Sequence, residues 1–248
     1  MRSFLLIWRR ELMAYFLSPL AYVVMIFFLV IMGYSFWFLA SLLAGGQANV
    51  SVMNELFGSF FFWLPMLIVS PVLTMRLLAE ERRSGTLETL LTVPVGDTAV
   101  VLGKYFGALS FFIVMWLPTV SYAFLLHRFS AESAPVDFGP LIGGYLGALV
   151  VGAFYLAVGI FCSSVTGNQI VAAMAAFALL ALVFFAGLLG ESTHGETLRQ
   201  VCNYASSVKH MRDFSRGVID TRPIIFHISG AAFLLFAAIR VLDSRHWK

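Results

Sequence analysis

Hydrophobic residues fall into long blocks that are separated by short polar stretches. No charged residue occurs between Leu12 and Asn54, and none occurs between Phe138 and Gly190. Roughly 20 consecutive apolar residues are enough for a helix to cross a bilayer. The blocks therefore predict several membrane-spanning helices.

Six spans are predicted. Their approximate ranges are 20–43, 56–75, 105–126, the two halves of 138–190, and 223–239. The polar run Ser163–Gln169 is where the fourth and fifth spans meet. Pro65 and Pro71 in the second span and Pro118 in the third predict kinks, because proline removes a helical hydrogen bond.

The fourth span carries a row of glycines at four-residue spacing, Gly139, Gly143 and Gly147. Small residues at this spacing form a smooth face that lets another helix approach closely. We expect this face to pack within the chain. The alternative is that it forms a dimer contact.

The N-terminal stretch predicts an amphipathic helix over residues 2–17. Phe4, Trp8, Leu12 and Tyr15 recur at helical spacing, while basic residues gather on another side. Such a helix lies in the membrane interface with its basic face toward anionic headgroups. The candidate membrane-interface residues are Arg2, Trp8, Arg9 and Arg10.

The densest run of charge is Glu80–Arg83, between the second and third spans. The following Ser-Gly-Thr can start a helix, because a hydroxyl can cap the free N–H groups. Leu87, Leu90 and Leu91 then form one apolar stripe, and Pro94 stops the helix. A helix of about two turns is marginal in water, so this one needs a surface to dock against.

Composition excludes a soluble domain. Hydrophobic residues make up 60% of the chain and charged residues 12%, about half the charged fraction of a typical globular protein. The net charge of +3 comes with no basic cluster outside the spans that would indicate nucleic-acid binding. Cys162 and Cys202 show neither metal-ligand nor disulfide spacing.

The sequence lacks the motifs of an enzyme, and we expect no catalytic residue, no metal site and no cofactor in this chain. Gly103-Lys104 is followed by Tyr105 and lacks the earlier glycine of a phosphate-binding loop. If ATP drives this protein, another chain hydrolyses it. His227 is the ionisable candidate deepest in a span, and we interpret it as a hydrogen-bonding residue near the interface.

The residues around the charged run resemble a known family. Glu81, Gly85-Thr86-Leu87-Glu88, Leu90-Leu91 and Pro94-Val95, with Gly103-Lys104 shortly after, are similar to the cytosolic coupling segment of permease subunits of type-2 ABC exporters, in the gliding-motility-like and nitrous-oxide-maturation-like branches. The run Phe214–Asp220 resembles the gliding-motility-like branch in particular.

This resemblance implies an all-α membrane protein with two units. Residues 1–18 would be an interfacial elbow helix and 19–248 one six-helix permease domain. The coupling segment 79–95 would lie in the cytosol, and the extracytoplasmic loop 191–222 would contain a re-entrant helical hairpin before the sixth span. The loop residues singled out are Arg212, Arg216, Gly217 and Asp220.

The resemblance also implies partners. The coupling segment would bind a cytosolic ABC ATPase, which carries ATP and magnesium. The partner-binding residues would be Glu81, Arg83, Gly85, Thr86, Leu87, Glu88, Leu90 and Leu91. A second permease chain, membrane lipids and a companion subunit with an extracytoplasmic domain would complete the assembly.

The distribution of Lys and Arg predicts the orientation. With six spans, ten of the 16 lie on the side of both termini and the 79–95 segment. The positive-inside rule places that side in the cytoplasm, as expected for a bacterial inner-membrane protein.

Two functions remain open. The first is a permease that couples ATP hydrolysis to movement of a lipid-like or hydrophobic substrate, or of a periplasmic partner. The second is a membrane scaffold or intramembrane enzyme whose loop helix merely lies on the membrane surface.

Overall fold

The computed structural model describes residues 2–44, 52–83, 96–129, 138–192, 200 and 204–244. Helices account for nearly all of this part of the chain, and it contains no strand. The predicted all-α class is therefore confirmed.

The main helices are named in chain order. They are α1 (Arg2–Leu17), α2 (Pro19–Ala44), α3 (Val52–Gly58), α4 (Phe60–Thr74), α5 (Ala79–Arg83), α6 (Asp97–Trp116), α7 (Val120–Phe129), α8 (Phe138–Val165), α9 (Gln169–Ser192), α10 (Ser207–Ser215) and α11 (Thr221–Asp243).

Within the described ranges, five helical stretches are long and apolar enough to cross a membrane. They are Pro19–Leu42, Phe60–Arg83, Asp97–Arg128, Phe138–Val165 and Thr221–Asp243. Within α9, the described apolar stretch Gln169–Phe185 is shorter than these, although the sequence of α9 has no charged residue before Glu191. The structure thus supports a multi-pass membrane protein with five candidate spans, one fewer than the sequence predicts.

Several predicted boundaries are confirmed. Helix α2 matches the first predicted span to within one residue, and α8 and α9 are separated only by residues 166–168, in the predicted polar break. Pro118 lies in a short 3₁₀ turn, Leu117–Thr119, which joins α6 to α7. Helix α6 starts at Asp97, eight residues before the predicted third span, with an acidic residue in its first turn as the helix dipole favours.

The second span differs from the prediction of one kinked helix from residue 56. The helix is broken at Ser59, whose backbone is extended (φ −82°, ψ 165°), and the spanning part begins at Phe60. The preceding helix α3 is held by tertiary packing. Its fully buried Phe57 lies with ring centroids 5.1 Å from Tyr145 and 6.0 Å from Trp116. Hydrophobicity alone does not distinguish such a buried segment from the start of a span.

The glycine row of α8 packs within the chain. An added Cβ at Gly143 would collide with the backbone carbonyl of Phe214 in α10, and one at Gly147 would lie 2.9 Å from the Phe214 side chain. Further along α8, a Cβ at Gly159 would overlap the side chain of Thr74 at the end of α4. These close approaches confirm the expected intramolecular use of the face, and they place α8 at the centre of the bundle.

Helix α10 begins one residue before its predicted start at 208. The Ser206 hydroxyl caps it by accepting a hydrogen bond from the backbone N–H of Lys209, at 3.1 Å. Gly217 follows the helix with φ +79°, a left-handed conformation that suits glycine at a helix C-terminus. The predicted cap is therefore confirmed, whereas most of the other predicted loop helix, 196–204, lies outside the described residues.

Candidate functional site: a charged junction at one end of the bundle

Helix α1 packs along α6 because two glycines leave room for it. An added Cβ at Gly103 would lie 2.8 Å from Ile7, and one at Gly107 would lie 2.8 Å from the Cβ of Glu11. The indole N–H of Trp8 donates to the hydroxyl of Ser110 at 3.0 Å. The close contact brings the polar side chains of α1 next to those of α6.

Four charged residues meet at this contact, and we call them the charged junction: Arg10, Glu11, Glu81 and Lys104. The ammonium of Lys104 lies 3.0 Å from Glu11 Oε1 and 2.8 Å from Glu81 Oε1. Arg10 Nη2 lies 2.9 and 3.0 Å from the same two oxygens. The junction therefore joins α1, α5 and α6, which are far apart in sequence.

The junction alternates positive and negative charge across a largely dry contact. The side chain of Lys104 is only 2% exposed, and those of Glu11 and Glu81 are 12% and 18% exposed. Burial raises the pKa of Glu11, but the nearby charge of Lys104 and the hydrogen bonds from Arg10 and Lys104 outweigh it, so the pKa of this carboxyl is lowered. A buried charge held in this way depends on its partners.

Helix α5 is the start of the predicted coupling segment, and a serine of α8 fixes it. The chain leaves the helical path between Met75 and Leu78. The hydroxyl of Ser163 accepts hydrogen bonds from the N–H groups of Leu78 and Ala79, at 3.1 and 3.0 Å, and donates to the carbonyl of Met75 at 3.1 Å. One side chain thus satisfies backbone groups on both sides of the break.

Two arginines add further links from the same region. Arg82 Nη1 donates to the carbonyl of Val165, the last residue of α8, at 2.7 Å. Arg76 donates to Glu80 at 2.9 Å and to the hydroxyl of Ser18, between α1 and α2, at 3.3 Å. Helix α5 is therefore connected to α1, to α6, to α8 and to the α1–α2 corner.

The predicted partner-binding residues divide into two groups. Glu81 is part of the charged junction, and Arg83 is exposed at the end of α5. The other six lie outside the described residues: Gly85, Thr86, Leu87, Glu88, Leu90 and Leu91. The interaction of this set with an ATPase therefore stays a prediction.

The predicted interface residues occupy different surroundings. Arg9 and Arg10 are exposed, although Arg10 also belongs to the charged junction, and Trp8 packs against α6. The side chain of Arg2 lies outside the described residues. Large apolar side chains are exposed along α1: Leu5, Leu6, Met13, Phe16 and Leu17.

The predicted loop residues lie close to helix ends. Arg212 is in the last turn of α10, Arg216 is the exposed residue that follows it, and Gly217 is the left-handed residue next to that. Asp220 caps α11, since its carboxylate accepts from the backbone N–H of Arg222 at 3.0 Å. The observed contacts of Gly217 and Asp220 thus have a structural role.

His227 is fully buried and hydrogen-bonded. Its Nδ1 lies 2.8 Å from the carbonyl of Pro223, and its Nε2 lies 3.2 Å from the hydroxyl of Ser207. This agrees with the interpretation of His227 as a hydrogen-bonding residue, although its partners are protein groups inside the bundle.

Sequence reasoning missed the contacts made by Glu11, Lys104 and Ser163. A signal for the first two was present: Glu11 is the sole acidic residue among the first 54, and Lys104 interrupts an apolar segment. An isolated acid and an isolated base next to membrane-spanning segments each require a partner. The role of Ser163 had no sequence signal, because it depends on the interruption of the neighbouring helix at residues 75–78.

The fold defines a multi-pass helical membrane protein, and the polar contacts described above connect its helices to one another. A family model described as ABC-2 family transporter protein matches residues 40–208. The chain belongs to this family, which makes it the membrane subunit of an ABC transporter and implies a partner ATPase subunit. No curated protein sequence matches the chain.

Proposed function

We propose that this chain is the permease subunit of an ATP-driven exporter or mechanotransmitter of the gliding-motility-like branch. A separate cytosolic ATPase would bind ATP and magnesium and would hold the 79–95 segment as its coupling helix. The observation that supports this most directly is the set of bonds that connects α5 to the rest of the bundle through Glu81, Arg82 and Ser163.

These bonds give a physical route for movement. A force applied to residues 84–95 reaches α5 first, because the chain continues directly into it. From α5 it passes to α1 and α6 through Lys104, and to the end of α8 through Arg82 and Ser163. A loop helix that merely rested on the membrane surface would not require its base to be bonded to three helices.

The architecture we propose has six spans, with α9 as the fifth. Helix α1 is the elbow helix, supported by its exposed apolar side chains and exposed arginines. Helices α3 and α10 are short and lie together at the opposite end of the bundle, where the hydroxyl of Ser215 donates to Asn54 at 2.8 Å. This arrangement suits a re-entrant element before the sixth span.

The remaining assembly follows the same proposal. The charged junction faces the cytoplasm of a bacterial inner-membrane protein, both termini are cytoplasmic, and a second permease chain completes the membrane part. The apolar, aromatic spans suit a lipid-like or hydrophobic substrate, or movement passed to a companion subunit with an extracytoplasmic domain.

ATP hydrolysis tests the proposal directly. The purified chain should hydrolyse no ATP by itself, because it lacks a phosphate-binding loop. Hydrolysis should appear when an ABC ATPase co-purifies with it. The measurement is phosphate release by the chain alone and by the complex, with an ATPase variant lacking its phosphate-binding lysine as control. Sustained turnover by this polypeptide alone would refute the permease assignment.

The orientation has its own test with an impermeant maleimide added to spheroplasts. Cys162 is buried, 5% exposed, so its failure to react would say nothing about sidedness. We therefore use a Cys162→Ala background. Cys202 should react there, whereas a variant with Cys202→Ala and Ser244→Cys should react only after the membrane is permeabilised. Ser244 is exposed at the end of α11. The reverse pattern would mean that the orientation is inverted.

A further inference from the structure

A cavity of about 240 Å³ opens at the corner between α1 and α2. It lies between α1, the first turns of α2, and the end of α4 with α5. Pockets for drug-sized ligands are commonly about 300–1,000 Å³. This cavity is smaller, with a size that suits a compact polar group and a few attached carbon atoms.

The lining of the cavity is divided into an apolar wall and a polar rim. The wall includes Ala21, Val24 and Leu73, all of them buried in the protein. The rim carries five charged side chains. They are Glu11, Arg76, Glu80, Glu81 and Lys104. Such a division matches an amphipathic ligand better than a fully polar or a fully apolar one.

The position of the cavity matches the depth of lipid headgroups. It lies where α1, with its exposed apolar stripe, turns at Ser18 into the candidate span that starts at Pro19. An interfacial helix is expected at the boundary between headgroups and acyl chains. A lipid at that depth would meet the polar rim with its headgroup and the apolar wall with its first acyl carbons.

The charges of the rim restrict the kind of headgroup. The rim carries two cations and three carboxylates, and Arg10, which bonds to Glu11 and Glu81 from outside the lining, balances the third carboxylate, so both signs are present in equal number. Arg76 uses two of its five N–H donors on Glu80 and Ser18, and Lys104 uses two of three on Glu11 and Glu81. Donors are therefore left for a phosphate, and carboxylates are present for a cation.

We propose that this cavity binds one phospholipid whose headgroup carries a primary ammonium, of the phosphatidylethanolamine class. The ammonium donates to the carboxylates around Glu80, and the phosphate accepts from Arg76. A choline headgroup has no N–H to donate, and a phosphatidylglycerol headgroup has no cation to place against the carboxylates. The proposal does not depend on the ATPase proposed above.

The test measures lipid binding by native mass spectrometry on the full chain, purified and delipidated in detergent. Dioleoyl phosphatidylethanolamine, phosphatidylcholine and phosphatidylglycerol are added in turn. One phosphatidylethanolamine should be retained with about tenfold higher affinity than the other two. Arg76→Gln and Glu80→Gln should each weaken it by about tenfold, the effect of losing one charge-assisted hydrogen bond.

Two further variants separate the cavity from general effects. Ala21→Phe fills the apolar wall and leaves the charged rim unchanged, so it should also reduce phosphatidylethanolamine binding. Glu55→Gln changes an exposed carboxylate on α3, outside the cavity, and should leave binding unchanged. Circular dichroism and gel filtration confirm that each variant is folded before it is compared.

Four outcomes would overturn the proposal. These are equal retention of the three lipids, a preference for phosphatidylglycerol, unchanged binding by both Arg76→Gln and Ala21→Phe, and equal binding of soluble phosphoethanolamine without acyl chains. The first would indicate ordinary surrounding lipid, and the last a site for a small soluble ligand.

Discussion

Replacing Lys104 by methionine should destabilise the folded protein by about 3–5 kcal/mol, the usual effect of removing one partner from a buried ion pair. Methionine keeps the length of the side chain and loses the charge, so Glu11 and Glu81 would lose their buried cation and keep the half-exposed Arg10. The measurement is the free energy of unfolding in a denaturant titration of the purified protein. Lys209→Met is the matched control, because Lys209 is exposed.

The dependence on pH distinguishes lost charge from lost packing. Because its folded-state pKa is lowered, Glu11 contributes stability that is present above the unfolded carboxyl pKa and is lost as the pH falls through the folded one. In Lys104→Met the Glu11 carboxylate loses its buried cation and can be neutralised by protonation. The difference in stability between the variant and the parent protein should therefore be largest near neutral pH and should shrink in acid.

A third variant shows whether the charges act as one unit. Combining Lys104→Met with Glu11→Gln and Glu81→Gln removes the buried carboxylates together with their partner, and it should recover most of the lost stability. If Lys104→Met costs no more than Lys209→Met, or if its cost is independent of pH, the charged junction is solvated and does not hold the helices together.

The sequence predicts the apolar helices well, because their hydrophobic blocks are long and their breaks are polar. Helices α2, α8 and α11 start within two residues of their predicted starts. The start of the second span was predicted four residues too early, since Leu56 and Phe57 are apolar but belong to the separate helix α3, where Phe57 packs against the aromatic rings of Trp116 and Tyr145. That difference depends on residues about 60 and 90 positions away, which no local pattern contains.

The candidate site was predicted only in part for a similar reason. The charge run identified the region of α5 and its Glu81, whereas the partners of Glu81 come from α1 and α6. Each of these two partners is a single charged residue, and the sequence does not indicate which acidic side chain forms an ion pair with which basic one. The glycines Gly103 and Gly107 let α1 approach α6 and thereby determine the pairing.

Leu90→Asp should weaken the complex with the partner ATPase by about tenfold or more. This prediction comes from the sequence, because Leu90 lies outside the described residues. Burying one leucine is worth about 1.5–3 kcal/mol, and each 1.4 kcal/mol is a factor of about ten in affinity. The substitution also introduces a charge into the proposed apolar contact. The measurement is the dissociation constant of the complex together with ATP hydrolysis stimulated by the permease.

Two variants on the same short helix provide the comparison. Thr89→Asp introduces the same charge on the face opposite Leu87, Leu90 and Leu91, and it should leave affinity nearly unchanged. Glu88→Lys should have a smaller effect than Leu90→Asp, because a charge at the rim of an interface acts mainly on encounter and orientation. Membrane insertion should be normal in all three, since the predicted helix lies outside the predicted spans.

Leu90→Asp and Lys104→Met test two different properties, the coupling to the ATPase and the folding stability of this chain. Lys104→Met should lower stability whether or not an ATPase is present, because the charged junction lies within this chain. Leu90→Asp should leave the stability of the isolated chain unchanged and should reduce only the binding and stimulated hydrolysis of the ATPase. If Leu90→Asp retains its ATPase in full stoichiometry with undiminished hydrolysis, the helix after α5 is a surface loop, and the junction holds the bundle together without transmitting movement.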